Sequence, residues 1–289
     1  MGRRTPLPDA LPPLREVIAR YGIRARRQLG QHFLLDLNLS RRIVRAAGDL
    51  GGKTVVEIGP GPGGLTRALL ETGAARVIAI ERDPRCIDAL SDLSERHGNR
   101  LDVVAGDALD VDIPALAGAG RVAIVANLPY NVATPLLIGW LRNVGSISAM
   151  TLMFQKEVAE RIVATPGTSA YGRLAVVAQW LCEARRAFDV APTAFVPPPR
   201  VTSSVVNLVP RDAPLAPADM AALEAVTAAA FGRRRKMLRS ALAGLVENPE
   251  ALLTQAGIAP TARAETLPPE AFCALARGLA ELRTPRSTA

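Results

Sequence analysis

Aromatic residues are scarce in this 289-residue chain: two Trp, three Tyr and six Phe make up 4% of it. Each aromatic in an unusual local setting therefore carries information. Cysteine is scarcer still. Cys86, Cys182 and Cys273 lie far apart and form no C-x-x-C pair, which argues against a zinc site or a disulfide framework and fits a reducing compartment. His32 and His97 are the only histidines, so a hydride-transfer acid/base pair has little to draw on, and no metal site is expected. There is no run of about 18 apolar residues, and hence no expected membrane span. Residues 1–14 hold Arg3, Arg4 and four prolines instead of the continuous apolar stretch of a signal peptide, which points to a cytoplasmic protein.

What is present is an apolar fraction of 49%, ordinary for a globular protein, and a formal net charge of +8. That excess suggests a polyanionic partner, nucleic acid before an anionic membrane. Residues 1–23 read as an N-terminal arm, Pro-rich at first, with a helical pattern over 14–21 that stops at Gly22. From residue 24 to 210 helical and strand patterns alternate. Strands are expected at 54–58, 76–80, 101–104 and 121–125, with further candidates at 149–154, 182–190 and 204–209. Helices are expected near 39–47, from 65 and from 84. This alternation predicts an α/β fold with a mostly parallel sheet covered on both faces, a Rossmann-like arrangement. Pro210, Pro214 and Pro217 bracket a linker, and 211–289 reads as a small all-helical domain.

Between the first sheet strand and its helix stands Glu57-Ile58-Gly59-Pro60-Gly61-Pro62-Gly63-Gly64. Glycines there allow a tight turn and close approach to a ligand, and Gly59, Gly61 and Gly64 fit the G-x-G-x-x-G spacing. Alone, that spacing fits a plain structural turn or any nucleotide-type cofactor. Glu81 follows the second strand, where a carboxylate can accept from ribose hydroxyls of NAD or S-adenosylmethionine alike. Asp107, beside Ala108, follows the third strand. It suits an adenine amine, although an Asp after a strand, taken by itself, is more often a turn or helix-cap residue.

The fourth strand runs into Asn127-Leu128-Pro129-Tyr130. An adenine amine is a poor nucleophile because its lone pair is delocalised into the ring. Two acceptors on its hydrogens, the Asn127 side-chain oxygen and the Leu128 carbonyl, would aim that lone pair at a sulfonium methyl. Pro129 would hold Leu128 extended. Tyr130 would offer a stacking face worth about 1–3 kcal/mol. The alternative is a simple turn after a strand. Phe195, on the Pro-stiffened loop Phe195-Val196-Pro197-Pro198-Pro199-Arg200-Val201-Thr202-Ser203, is expected to close the other face of the base, or else to be a packing anchor.

With these segments Gln31-His32-Phe33-Leu34, Gln155-Lys156-Glu157-Val158 and Tyr171-Gly172-Arg173-Leu174, the chain resembles the small-subunit (16S) rRNA adenine N6,N6-dimethyltransferase family. The resemblance covers residues 24–282. It implies a Rossmann-like class I methyltransferase using S-adenosyl-L-methionine, with cofactor contacts at His32, Leu34, Gly59, Glu81, Asp107 and Asn127. Glu57, Gly61 and Ala108 lie in the same segments and complete the candidate set. It implies two methyl transfers to each of two adjacent adenosines in the 3′-terminal hairpin of 16S rRNA. The implied substrate is the immature small ribosomal subunit.

For RNA, the densest basic run is Arg233-Arg234-Arg235-Lys236 with Arg239, and a second patch is Arg24, Arg26 and Arg27. Both are expected to neutralise phosphates; a solvated helix face is the bland reading of the first. Three rival functions stay open on the sequence. They are a macrolide-resistance methylase acting on large-subunit rRNA, an assembly checkpoint or transcription factor derived from a methylase, and an NAD enzyme. A monomer is expected.

Overall fold

The computed structural model describes residues 11–26, 30–118 and 120–283. A seven-stranded sheet forms its centre. The strands are β2 (Thr54–Ile58), β3 (Arg76–Glu81), β4 (Leu101–Ala105), β5 (Val122–Asn127), β6 (Ile147–Gln155), β7 (Cys182–Val190) and β9 (Ser203–Pro210). Their order is β4-β3-β2-β5-β6-β9-β7. The first five run parallel, and β9 is antiparallel to both β6 and β7. The sheet is therefore mostly parallel, with an antiparallel edge pair.

Successive strand residues point to opposite faces, and each face has its own helices. Val55, Val77, Ala79 and Val125 pack with residues of α2 (Leu37–Ala46), α3 (Gly64–Leu70) and α4 (Pro84–His97). Val56, Ile78, Ile80 and Ile124 pack with α6 (Ala133–Arg142) and α8 (Arg173–Leu181). Asp83 caps α4 by accepting from the Arg85 amide, and Pro84 takes the first helical position, where a missing N–H costs nothing. Helices α6, α7 (Lys156–Val163) and α8 carry no assignment from sequence; apolar all round or short, they lack a clear period.

After Pro210 the described residues form no strand. The chain is pinned to the end of α8 by bonds from the Arg211 amide to the Leu181 carbonyl and from the Leu215 amide to the Trp180 carbonyl. Helices α9 (Met220–Gly232) and α12 (Pro269–Arg283) then pack on α8, and their Leu223, Val226, Phe272 and Leu275 join the core that also holds the sheet. A buried aromatic run, Tyr171 against Phe231 and Phe231 against Phe272, crosses this junction, and the Tyr171 hydroxyl donates to the Leu267 carbonyl.

At the other end, α1 (Leu14–Arg20) is followed by a two-residue strand β1 (Phe33–Leu34), which pairs antiparallel with β8 (Phe195–Val196). Neither short strand has a sequence period to betray it. The pairing joins residues about 160 apart and brings the Pro-rich loop to the mouth of the sheet.

Candidate active site

The chain runs outward through β2, β3 and β4 and then returns to lay β5 on the other side of β2. Order reverses there, and the connections leaving β2 and β5 part from each other. That leaves a crevice at the carboxyl ends of the two strands, where ligands bind in open α/β sheets. The crevice encloses about 960 Å³, its open mouth included. Its walls include His32, Leu34, Glu57, Gly59, Gly61, Glu81, Asp107, Ala108, Asn127, Leu128, Pro129 and Tyr130. Thirteen residues were expected at the chemical site, and these are twelve of them; Phe195 is the exception.

The glycine-rich turn can exist because of what crowds it. Gly61 has φ 55°, and a Cβ on it would lie 2.9 Å from the Phe33 ring. A Cβ on Gly64 would lie 2.4 Å from the Leu34 carbonyl oxygen, closer than any real contact. Strand β1 thus lies directly on the turn. Gly59 faces Pro129 across the crevice floor, which sets the ends of β2 and β5 side by side.

Glu81 is 4% exposed and accepts from three backbone amides, those of Gly61, Arg82 and Asp83. Burial pushes its carboxyl up and these amides oppose the rise. Glu81 therefore ties the turn to the end of β3 before any ligand arrives. Glu57 is 1% exposed, and its Oε2 has no partner. Burial pushes it up to about 8, the nearby Glu81 adds to the rise, and Thr66 opposes it. Asp107 forms the turn that was one of its two readings, and it lines the crevice wall as well. One oxygen accepts from the Leu109 amide, forming a turn, and the other accepts from Arg82 at 2.8 Å on the crevice wall.

Asn127 ends β5 with its side-chain amide donating to the His32 carbonyl at 3.0 Å. A carbonyl can only accept, so the nitrogen must face His32, and Oδ1 has no partner among the described residues. The Leu128 carbonyl accepts nothing among the described residues. The Pro129 carbonyl is taken by the Val132 amide, which turns the backbone here. Two acceptors without a partner among the described residues thus belong to adjacent residues. The Tyr130 hydroxyl bonds Ser203 Oγ at 2.6 Å, which fixes its ring, and burial pushes the phenol up, so it stays neutral.

The expectation for Phe195 needs correction. Its side chain is 2% exposed, packed in the core under the loop and absent from the crevice wall. The β1–β8 pairing turns it inward, opposite Leu34. The ring that meets Tyr130 at the crevice is His32, at 5.3 Å between centroids, with Phe195 edge-on behind it at 6.4 Å. His32 Nδ1 donates to the Pro197 carbonyl at 2.8 Å, since a carbonyl can only accept, and this bond fixes the ring. Phe195 is thus the packing anchor beneath this stack.

Comparison with known proteins decides the family. A model of the ribosomal RNA adenine dimethylase family matches residues 22–281. The ribosomal RNA small subunit methyltransferase A of Xanthobacter autotrophicus is 62% identical over 96% of this chain and 96% of its own. That of Rhodospirillum rubrum is 61% identical over 94% and 93%. Among solved structures, a dimethyladenosine transferase from Plasmodium falciparum superposes with TM-score 0.73 at 27% identity, covering 86% of this chain and 98% of its own. The 23S rRNA methyltransferase ErmE gives 0.63 at 28% identity, covering 86% and 99%. The chain belongs to the ribosomal RNA adenine dimethylase family.

This rRNA adenine dimethylase is an S-adenosyl-L-methionine-dependent methyltransferase with a Rossmann-like fold. Its crevice fits that methyl donor on its own evidence: a turn with no room for side chains, a buried acid at the end of β3, and an unpartnered acceptor at Asn127. The dimethylase also has positioning groups that no single-residue signal announced. Arg82 holds Asp107. Asp83, 1% exposed, is gripped by Arg85 and by Gln31, and Arg85 also donates to the Gly22 and Arg24 carbonyls. The Arg85 guanidinium holds the Asp83 carboxyl below its usual range. This clamp fastens Gly22, Arg24 and Gln31 beside the crevice. Asp83 before Pro84 is a legible helix start, but its second task depends on Gln31, 52 positions away.

The basic residues divide. Arg24 and Arg26 are exposed on the clamped segment, and Arg27 lies outside the described residues. Arg233, Arg235 and Lys236 are exposed with no ion pair among the described residues. Arg234 is committed elsewhere, paired to Glu265 at 2.9 Å and donating to the Thr168 carbonyl. Arg239 pairs with Glu250 at 3.5 Å. No described helix is long and apolar enough to cross a membrane.

Proposed function

We propose that the enzyme dimethylates the N6 amines of two adjacent adenosines in the 3′-terminal hairpin of 16S rRNA, on the immature small subunit in the cytoplasm, acting as a monomer. One observation carries the chemistry: Asn127 Oδ1 and the Leu128 carbonyl belong to adjacent residues of the crevice wall, and neither has a partner among the described residues. In the first transfer each takes one hydrogen of the target amine and draws the nitrogen toward tetrahedral geometry; in the second, the single remaining N–H engages one of them. S-adenosyl-L-methionine supplies the methyl on a sulfonium centre. Glu81, Asp107, Ala108, His32, Leu34, Gly59 and Gly61 form the proposed cofactor cradle, with Glu57 sealed behind the turn. No strong general base is required, because the amine sheds its proton after attack; positioning carries most of the rate. Tyr130, held by Ser203, supports one face of the base and the His32 ring lies beside it. The small-subunit target is favoured by relatives near 60% identity that bear that name, against 28% for the large-subunit enzyme. In the proposed arrangement a helical part beginning at 211 and the exposed Arg24 and Arg26 flank the RNA.

The test is transfer of labelled methyl from S-adenosyl-L-methionine to undermethylated small subunits, followed by nucleoside analysis. N6,N6-dimethyladenosine is expected with wild type, and a loss of about 100-fold or more in rate with Asn127→Ala, the scale of one lost transition-state hydrogen bond. Label on large subunits alone would replace this reading with the resistance-type reaction.

A further inference from the structure

The loop that buries Phe195 presents something else to solvent. Val196 is 48% exposed and Val201 45%, and Pro197, Pro198 and Arg200 are exposed between them. Residues 193–203 contain no acid, and Arg200 is their single charge. Three consecutive prolines fix φ and remove three amide donors. The tip can therefore make few hydrogen bonds to phosphates or base edges, and what it offers is shape and apolar surface.

This tip is stiff and tied to the proposed catalytic wall. Phe195 anchors one end in the core, and Pro197 accepts from His32. Thr202 accepts from the Lys156 amide at 2.9 Å, and Ser203 holds the Tyr130 hydroxyl. What sets Val196 and Val201 apart from other exposed apolar residues is their support: one stiff, acid-free loop bonded to the crevice residues His32 and Tyr130. An adenosine drawn into the crevice leaves a gap in its stack and bares the faces of its neighbours. Apolar side chains inserted between base steps fill such gaps in other nucleic-acid complexes.

We propose that residues 196–201 form a wedge, Val196 and Val201 packing against the nucleotides that flank the extruded adenosine while Arg200 meets an adjacent phosphate. The inference rests on the adenosine-methylation reading above. Because the tip is already rigid, it loses little conformational freedom on insertion, so its apolar contact goes into holding the open state.

The experiment compares wild type, a Val196→Ser/Val201→Ser variant and a Val196→Ile/Val201→Ile variant on undermethylated small subunits. It reads single-turnover methyl transfer, subunit affinity and cofactor affinity. A parallel series uses subunits with 2-aminopurine at the target position, whose fluorescence rises on leaving the stack. The serine variant is expected to lose about tenfold in methyl transfer and most of the fluorescence rise, with cofactor and subunit affinities near wild type. The isoleucine variant is expected to retain both. Wild-type transfer and fluorescence from the serine variant would overturn the wedge. So would a loss of subunit affinity with the fluorescence rise intact, which would assign the tip to another ribosomal component. A wild-type enzyme that labels no rRNA defeats the substrate reading and the wedge together; an active wild type with an equally active serine variant defeats the wedge alone.

Discussion

Glu57 shows how one residue can serve a site while weakening the fold. It occupies the alternate position of β2 that points toward α3, next to Val55, so its carboxyl is sealed among apolar side chains with one oxygen unpartnered. Its folded value of about 8 lies above the 4.5 of an ordinary glutamate. The folded protein therefore keeps a proton that the unfolded chain releases. Stability linked to that proton is complete below about pH 4.5 and is lost progressively as pH rises toward 8. Glu57→Gln keeps the shape and removes the titration. Its melting temperature is expected to match wild type near pH 4.5 and to exceed it increasingly toward pH 8, by an amount equivalent to a few kcal/mol. Thermal melts across that range check it; a constant offset would mean that Glu57 is ionised in the fold. At this scale the chemistry-bearing types were legible from their combination: a glycine turn, two acids and an Asn at consecutive strand ends, each of which alone would read as a turn or cap. Phe195 was not, since whether a loop ring faces in or out depends on a strand pairing with Leu34.

At the scale of elements, the glycine-rich turn works only with β1 laid across it. The Gly64→Ala variant adds a methyl where the Leu34 carbonyl stands, and backbone cannot step aside as a flexible side chain can. A destabilisation of about 1–3 kcal/mol is expected, the usual range for overpacking. Cofactor affinity should fall with it, because β1 carries His32 and Leu34 into the crevice. Calorimetric melting and cofactor titration measure the two. A variant with wild-type values of both would show that β1 does not rest on the turn. Strands β2 and β7 were readable to the residue, as short apolar or β-rich runs bounded by turn signals. The antiparallel placement of β9 and β7 was not, because local pattern carries no strand direction. Neither was the β1–β8 pair, in which two residues on each side leave no period.

Across the whole molecule the net charge of +8 has to be divided between binding and structure. Arg233, Arg235 and Lys236 are exposed and form no ion pair among the described residues, whereas Arg234 joins Glu265 and Thr168 and so links α9 to the segment that carries Tyr171. Replacing the three exposed residues with Ala is expected to lower the log–log salt slope of RNA binding by about 2–3 while leaving the melting temperature unchanged. Arg234→Ala is expected to do the reverse, lowering the melting temperature with little effect on the slope. Binding titrations over a range of salt, with melts alongside, separate them; an unchanged slope in the triple variant would place the RNA elsewhere. In the sequence these four cations form one run, and nothing in it marks which is committed.

The amino-acid sequence by itself determined the class of fold, the positions of the glycine turn and its acids, and the Asn-Leu-Pro-Tyr segment. Each of these follows from local rules: alternation of periods, conformational freedom at glycine, and the φ lock at proline. Tertiary structure decided the remainder. It chose the switch point between β2 and β5, turned the Asn127 amide nitrogen toward His32, buried Phe195 and exposed Val196 and Val201, and drew Arg234 out of the basic face. Those outcomes rest on contacts between residues tens to hundreds of positions apart. Hydrogen-bond direction and burial are properties of such pairs, so no single stretch of sequence carries them.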